Sequence, residues 1–512
     1  MRILASVALG ALVVAGTGAA LSAQAQESRV AGPASAGPDA CARVTAGMLG
    51  ATQATGTWMP AANGLPAFCE VKGNLSPVAG SNIGVVYRLP ENWNGKVLGL
   101  GGGGWAGNVT LQAASEGLRK GYATMSTDGG HAATTLWDTS WARNPEAFKD
   151  FSYRAVHEMT VAGKKLAAAY YARTPSKAYF AGCSTGGRMA LMEAQRFPAD
   201  YDAITAGAPV YTLQVQTSAV LRNLAFAKDN GGFTADDLKL AQTAALDACD
   251  AQDGLKDGLI NDPRSCGWDP GTLQCSGAKT PTCLAPAQVA ALRAVYRGER
   301  APDGTWASFP MNRGGETGWT QFVGTNGTGS DASYGALNTL FPLAEGHPVD
   351  LTTFTPADVP RLRATAMGRM YDADDPNLTP FFRRGGRLIL WHGESDPGPS
   401  PVGTVDYLQR VYRAAPAGQQ QMRLYLLPGV GHCGGGPGAA PIPVLDALDE
   451  WVSTGNAPPL LVGAKPDRSM IRPQCAWPGV ARYRGAGEPN DPASWTCVPR
   501  ASASARGVGE RG

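Results

Sequence analysis

Ala178-Tyr179-Phe180-Ala181-Gly182-Cys183-Ser184-Thr185-Gly186-Gly187 runs from a short apolar segment into a serine flanked by glycines, and Arg188-Met189-Ala190-Leu191 then opens a helical pattern. A G-x-S-x-G sequence carries chemistry when it lies between a strand and a helix. Small neighbours let the backbone make the strained turn that lifts the serine hydroxyl above a sheet edge. Taken alone, the same residues also read as a glycine-rich turn with an ordinary serine.

Outward from this stretch, apolar segments alternate with helical ones. Residues 84–89, 96–100 and 122–126 have strand character, and 156–173 form an amphipathic helix rich in Ala and Lys. The serine turn is followed by a helix over about 187–197 and a strand over 202–206. Such alternation predicts a largely parallel sheet covered on both faces. It breaks at about Val210, where helical pieces, Gly-rich loops, four cysteines and several aromatics intervene, and resumes with strands at 387–392 and 422–427 and a helix at 444–452. The expected architecture is α/β: a sheet domain in two parts, 26–209 and 361–500, interrupted by a middle insertion over 210–360. The small, polar residues 501–512 read as a disordered tail.

The chain start has the form of a cleaved secretory signal over residues 1–25: Arg2, an uncharged apolar run from Ile3 to Ala20, and Ala23-Gln24-Ala25 as the cleavage site. A membrane anchor is the alternative, but the run is short and rich in Gly and Ala. No later stretch is long and apolar enough to span a bilayer. A secreted or periplasmic location follows, and there an even number of cysteines favours disulfides. The chain has ten, with no C-x-x-C pattern to suggest zinc. Local spacing favours Cys249–Cys266, Cys275–Cys283 and Cys475–Cys497, leaving Cys41–Cys69 and Cys183–Cys433. A formal charge of +2 without a basic run makes nucleic acid an unexpected partner. The oligomeric state is not legible.

A serine nucleophile of this kind needs an acid and then a histidine after it in the chain. Of five histidines, His131 and His157 precede Ser184; His347 falls in the insertion, His392 ends a strand, and His432 sits in a Gly-rich loop after the last strong strand. His432 is the favoured base. Asp396, in the loop after the strand at 387–392, is the favoured acid; Glu394 competes, and Asp406 falls within an expected helix. Cys183 as nucleophile would occupy the wrong place in the turn. If His432 approaches Ser184 to about 3 Å, their neighbours Cys433 and Cys183 come within reach of a disulfide, which needs Cα atoms about 4.4–6.8 Å apart. Oxyanion donors are expected at the amide of Thr185 and in the Gly101–Gly104 run after an early strand, with Gly103 the chosen glycine.

Within the insertion, Cys249-Asp250-Ala251-Gln252-Asp253-Gly254-Leu255-Lys256-Asp257-Gly258-Leu259 gathers three aspartates. Hard oxygen ligands on Asp-Gly turns suit calcium. The spacing is not that of an EF-hand, and a solvated acidic turn is the alternative. The flanking Cys249 and Cys266 favour a stapled calcium loop with a structural role.

Together these pieces resemble the tannase and feruloyl esterase family of secreted α/β-hydrolases, which also includes hydrolases of terephthalate half-esters. The resemblance rests on Gly182 to Gly187, Ser126-Thr127-Asp128-Gly129-Gly130-His131, His392-Gly393-Glu394-Ser395-Asp396-Pro397, Gly431-His432-Cys433 and the Asp250 loop. It implies Ser184, His432 and Asp396 as a triad bridged by Cys183–Cys433. It further implies a calcium-binding lid, with Ca2+ held by Asp250, Asp253, Asp257 and the carbonyls of Leu255 and Leu259, and a structural His131. Trp306, Arg313, Trp319, Phe322 and Tyr334 are the expected lid-wall residues. The expected activity is hydrolysis of small aromatic esters of the feruloyl or galloyl type through an acyl-enzyme. Terephthalate half-esters are an alternative, and an amidase or a non-catalytic exported binding protein are the rivals.

Overall fold

The computed structural model describes residues 37–133, 135–322, 324 and 332–500; the expected signal peptide and tail lie outside them. Nine strands form one sheet: β1 (Gln53–Met59), β2 (Phe68–Leu75), β3 (Ile83–Pro90), β4 (Lys96–Leu100), β5 (Ala123–Thr127), β6 (Lys177–Cys183), β7 (Ala203–Gly207), β8 (Arg387–Gly393) and β9 (Met422–Leu427). Their order is β1-β2-β3-β5-β4-β6-β7-β8-β9. β1, β2, β3 and β5 pair antiparallel, whereas every pair from β5 across to β9 is parallel.

Parallel strands are buried on both faces, so their residues divide alternately between two cores. Phe180, Leu388 and Leu390 face one core, with Met159, Leu166 and Tyr170 of the helix Ala155–Tyr171. Tyr179 and Ile389 face the other, with Leu118, Leu448 and Trp451. The antiparallel edge, β1 and β2, is absent from the sequence reading. Its first strand is largely exposed or half-buried, with no apolar run to mark it, and Cys41–Cys69 fastens its hairpin to the preceding helix.

Among the described residues no strand of the sheet lies between β7 and β8 in the chain, and the segment expected as a lid packs in two neighbourhoods. Phe226, Leu238, Ala241, Leu292 and Trp319 build a core of their own, stapled by Cys249–Cys266 and Cys275–Cys283. Val220 and Leu221, with Leu337, Leu340 and Phe341, instead join the core of the sheet. At the C-terminal end two hairpins, Leu460–Ala464 with Ile471–Cys475 and Gly479–Tyr483 with Trp495–Pro499, are linked by Cys475–Cys497. Among the described residues no helix is long and apolar enough to cross a membrane.

Candidate active site

Three strands deliver three side chains to the carboxyl edge of the sheet, where open parallel sheets place their chemistry. β6 ends at Cys183, and Ser184 turns the chain at φ 62° and ψ −123° into the helix Thr185–Arg196. That conformation is costly for a residue with a side chain, and it holds here because the neighbouring backbones interlock. A Cβ on Gly182 would lie 2.5 Å from the carbonyl carbon of Gly186, and one on Gly101 would lie 2.4 Å from the Gly186 Cα. The turn and the glycine run after β4 thus pass at backbone contact.

Asp396 follows β8, and His432 follows β9. Nδ1 of His432 is 2.7 Å from Oδ2 of Asp396, and its Nε2 is 2.9 Å from Oγ of Ser184. With the carboxylate accepting from Nδ1, the neutral ring presents a lone pair at Nε2 to the serine hydroxyl. Cys183 and Cys433 form a disulfide with Cα atoms 5.9 Å apart, tying the serine turn to the histidine loop. Cys183 is thereby removed as a nucleophile. Asp396 is fully buried. Burial raises its carboxyl, but the imidazoles of His432 and His392 outweigh that and hold it down at about 2.

The other acidic choices are spent elsewhere. Glu394 binds the Arg264 guanidinium, and its Oε2 accepts from Asn312 Nδ2 at 2.6 Å. Asp406 accepts from Nε of Arg410 at 3.0 Å. His347 is exposed. His131 is buried and stacks on Trp141, with Nε2 at 2.8 Å from the carbonyl of Trp105; burial lowers its pKa. The Trp105 amide donates to the Leu136 carbonyl at 2.7 Å, and the Thr185 hydroxyl donates to the Gly104 carbonyl. Among the described residues the amide of Gly104 donates to no protein acceptor, whereas Gly103 pairs with Ala106 in an isolated antiparallel bridge. Gly104, not Gly103, lines the cavity over Ser184.

That cavity is a cleft open to solvent, with about 560 Å³ of space between its walls and the opening. Its walls include Trp105, Trp137, Val210, Val215, Ala219, Phe322 and Pro399, with Gln216 and Arg222 among the polar side chains. Phe322 meets the His432 ring edge-on at 4.9 Å between centroids. Of the five expected wall residues, Phe322 is in the lining. Trp319 is core, Arg313 donates to the Trp268 carbonyl and covers the Tyr296 ring, Trp306 lines a separate cleft, and Tyr334 packs against the sheet core. Trp137 and Arg222 escaped the sequence reading because no periodicity or motif marks them. Trp105 was findable, since it directly follows the glycine run.

At the Asp250 loop, Asp250 accepts from the amides of Asp257 and Gly258 at 3.0 and 2.8 Å. Asp253 Oδ1 accepts from the Leu255 amide at 3.0 Å and Oδ2 from the Asn261 side chain. Asp257 pairs with Arg472 at 2.6 Å through Oδ2, and its Oδ1 is buried without a partner. The side chain of Leu255 packs against the C-terminal hairpins, and that of Leu259 is buried. Among the described residues no three acidic, His or Cys side chains are gathered for a metal. The donor chemistry nevertheless fits a hard divalent cation, with oxygen ligands throughout and one buried carboxylate oxygen unsatisfied.

A family model described as tannase and feruloyl esterase matches residues 69–498. A mono(2-hydroxyethyl) terephthalate hydrolase from Piscinibacter sakaiensis is 33% identical over 515 residues, covering 85% of this chain and 85% of its own length. Feruloyl esterase B from Aspergillus niger is 31% identical over 472 residues, covering 84% of this chain and 86% of its own. The crystal structure of feruloyl esterase B from Aspergillus oryzae superposes with a TM-score of 0.80 at 27% identity, covering 90% of this chain and all of the other.

Proposed function

The chain belongs to the tannase and feruloyl esterase family and is a carboxylic ester hydrolase, and from that premise we propose that Ser184, His432 and Asp396 hydrolyse esters of phenolic aromatic acids through an acyl-enzyme. The observation that carries this reading is the 2.9 Å approach of His432 Nε2 to Ser184 Oγ beneath an aromatic-walled cavity. Ser184 Oγ attacks the ester carbonyl as His432 takes its proton, and His432 then protonates the departing alcohol. Asp396 keeps the imidazole in the tautomer that allows this. Water hydrolyses the acyl-enzyme by the same route. The amides of Thr185 and of Gly103 or Gly104 stabilise the oxyanion, with Gly104 favoured by its place in the cavity wall.

Terephthalate half-esters are the second reading, favoured by Arg222, whose buried guanidinium lines the cavity. That guanidinium donates to the carbonyls of Ser218, Pro397 and Gly398, neutral oxygens that fix its orientation at the cavity wall. Ca2+ is the proposed occupant of the Asp250 loop, where it would be bound by Asp250, Asp253, Asp257 and the carbonyls of Leu255 and Leu259 and would act as a structural tie. Pairing of all ten cysteines supports an exported location, secreted or periplasmic. The test is a hydrolysis panel of feruloyl, galloyl and terephthalate half-esters, with a matching anilide and product identification. Preference for a phenolic acyl group supports the first reading, and preference for the half-ester selects the second. Cleavage of the anilide at the rate of its ester would overturn the esterase reading of the site.

A further inference from the structure

Asp396 carries a hydrogen-bond load that the triad does not explain. Its Oδ2 lies 2.7 Å from His432 Nδ1 and also 3.1 Å from Nε2 of a second imidazole, His392. The same Nε2 is 3.1 Å from the Pro399 carbonyl, and Nδ1 of His392 is 2.8 Å from Oγ1 of Thr404. His392 and Thr404 are both fully buried. His392 belongs to β8 and pairs in register with Leu426 of β9, so its backbone is fixed by the sheet. Asp396 instead sits in the loop beyond β8, a segment that ends at the helix Pro401–Ala414 carrying Thr404.

We propose that His392 is a positioning residue for ester hydrolysis, a clasp borne on the strand that aims Asp396 at His432 and whose tautomer is set by Thr404. The inference rests on the reading of Ser184, His432 and Asp396 as the triad. A single N–H at His392 Nε2 reaches both the carboxylate and the Pro399 carbonyl, holding the acid and the far end of its loop to the strand. For a neutral imidazole to donate from Nε2, Nδ1 must accept, and the Thr404 hydroxyl is the group placed to donate there. Two N–H donors on one carboxylate oxygen favour its ionised form and lower its basicity. The proton taken from Ser184 then stays on His432 instead of passing to Asp396, which the triad mechanism requires.

The test separates a hydrogen-bond donor from a space-filler. Thr404→Val keeps the shape but removes the hydroxyl donor, freeing His392 to hold its proton on Nδ1 and turn a lone pair toward Asp396. It is expected to lower kcat about tenfold with KM changed less than about twofold, the scale of one hydrogen bond to a charged group. His392→Leu is expected to lower kcat about a hundredfold, and His392→Gln, with an amide donor near the former Nε2, to recover about tenfold of that loss. Circular dichroism and thermal unfolding accompany the kinetics. Thr404→Val with unchanged kcat overturns the proposal even if His392→Leu fails to fold. So does His392→Gln no more active than a folded His392→Leu. A Ser184→Ala variant run alongside keeps the failures distinct: retained activity there sinks the triad itself, whereas an essential Ser184 with a silent Thr404→Val sinks the clasp alone.

Discussion

The serine–histidine neighbourhood and the Asp250 loop both contain polar residues that sequence motifs place together, yet the fold treats them differently. Ser184, Asp396 and His432 come from three strand ends and converge within hydrogen-bond distance because parallel strands deliver their following loops to one edge. The aspartates of the loop are near in sequence but each is engaged by a different set of partners: amides of the loop itself, Asn261 and Arg472. Topology can gather distant residues more tightly than adjacency gathers close ones.

The comparison breaks most visibly at the acid. Asp396→Asn should reduce kcat on an aryl ester by about 10⁴-fold, because an amide at that place stabilises the wrong imidazole tautomer. Glu394→Gln, two residues away, should leave kcat nearly intact and appear in thermal unfolding, since its partner is Arg264 and not His432. Equal losses at both positions would contradict the assignment. Replacing both Cys183 and Cys433 with Ser opens a constraint between residues 250 apart in sequence. The expected loss, measured by denaturant unfolding, is about 5 kcal/mol, together with reduced kcat as the His432 loop gains freedom. Unchanged stability would show that the sheet alone holds the two loops together.

For the Asp250 loop, calcium added after chelation should raise the unfolding temperature by about 5 °C at saturating concentration. No shift with calcium would leave the loop as a turn held by protein partners alone. The smallest effect is the pH dependence of stability. An unfolded aspartate titrates near 3.9, and the folded Asp396 is held at about 2. Its contribution is therefore present above about pH 4 and lost as pH falls toward 2, on the order of 2–3 kcal/mol. Asp396→Asn should flatten that part of the acid unfolding profile. An unchanged slope in the variant would assign the loss to other carboxylates.

What was legible follows the same division. β4 and β9 were readable to the residue, and β6, β7 and β8 to within two residues at each end, because buried parallel strands are short apolar runs bounded by turn signals. The disulfide pairs follow from spacing and from the proximity of Ser184 to His432, and the structure holds the same pairs. The antiparallel hairpin of β1 and β2 was hidden, since β1 is partly exposed and the residues of β2 alternate apolar with polar or Gly, so neither has a continuous apolar run. The cavity wall was hidden too. Trp319 and Phe322 are near neighbours in sequence, but one fills a core separate from those of the sheet and the other meets His432. Nothing in a single sequence distinguishes an aromatic that packs inward from one that faces a substrate. The role of Arg472 beside Asp257 was likewise out of reach, because that contact spans distant parts of the chain.

The central claim is that Ser184 is the nucleophile, and one measurement addresses it directly: mass spectrometry of the intact and digested protein after reaction with a fluorophosphonate ester. The account predicts a single adduct on the peptide containing Gly182-Cys183-Ser184-Thr185-Gly186, formed in step with loss of esterase activity and absent from Ser184→Ala. An adduct on another residue, or full inactivation of Ser184→Ala by the same reagent, would contradict it.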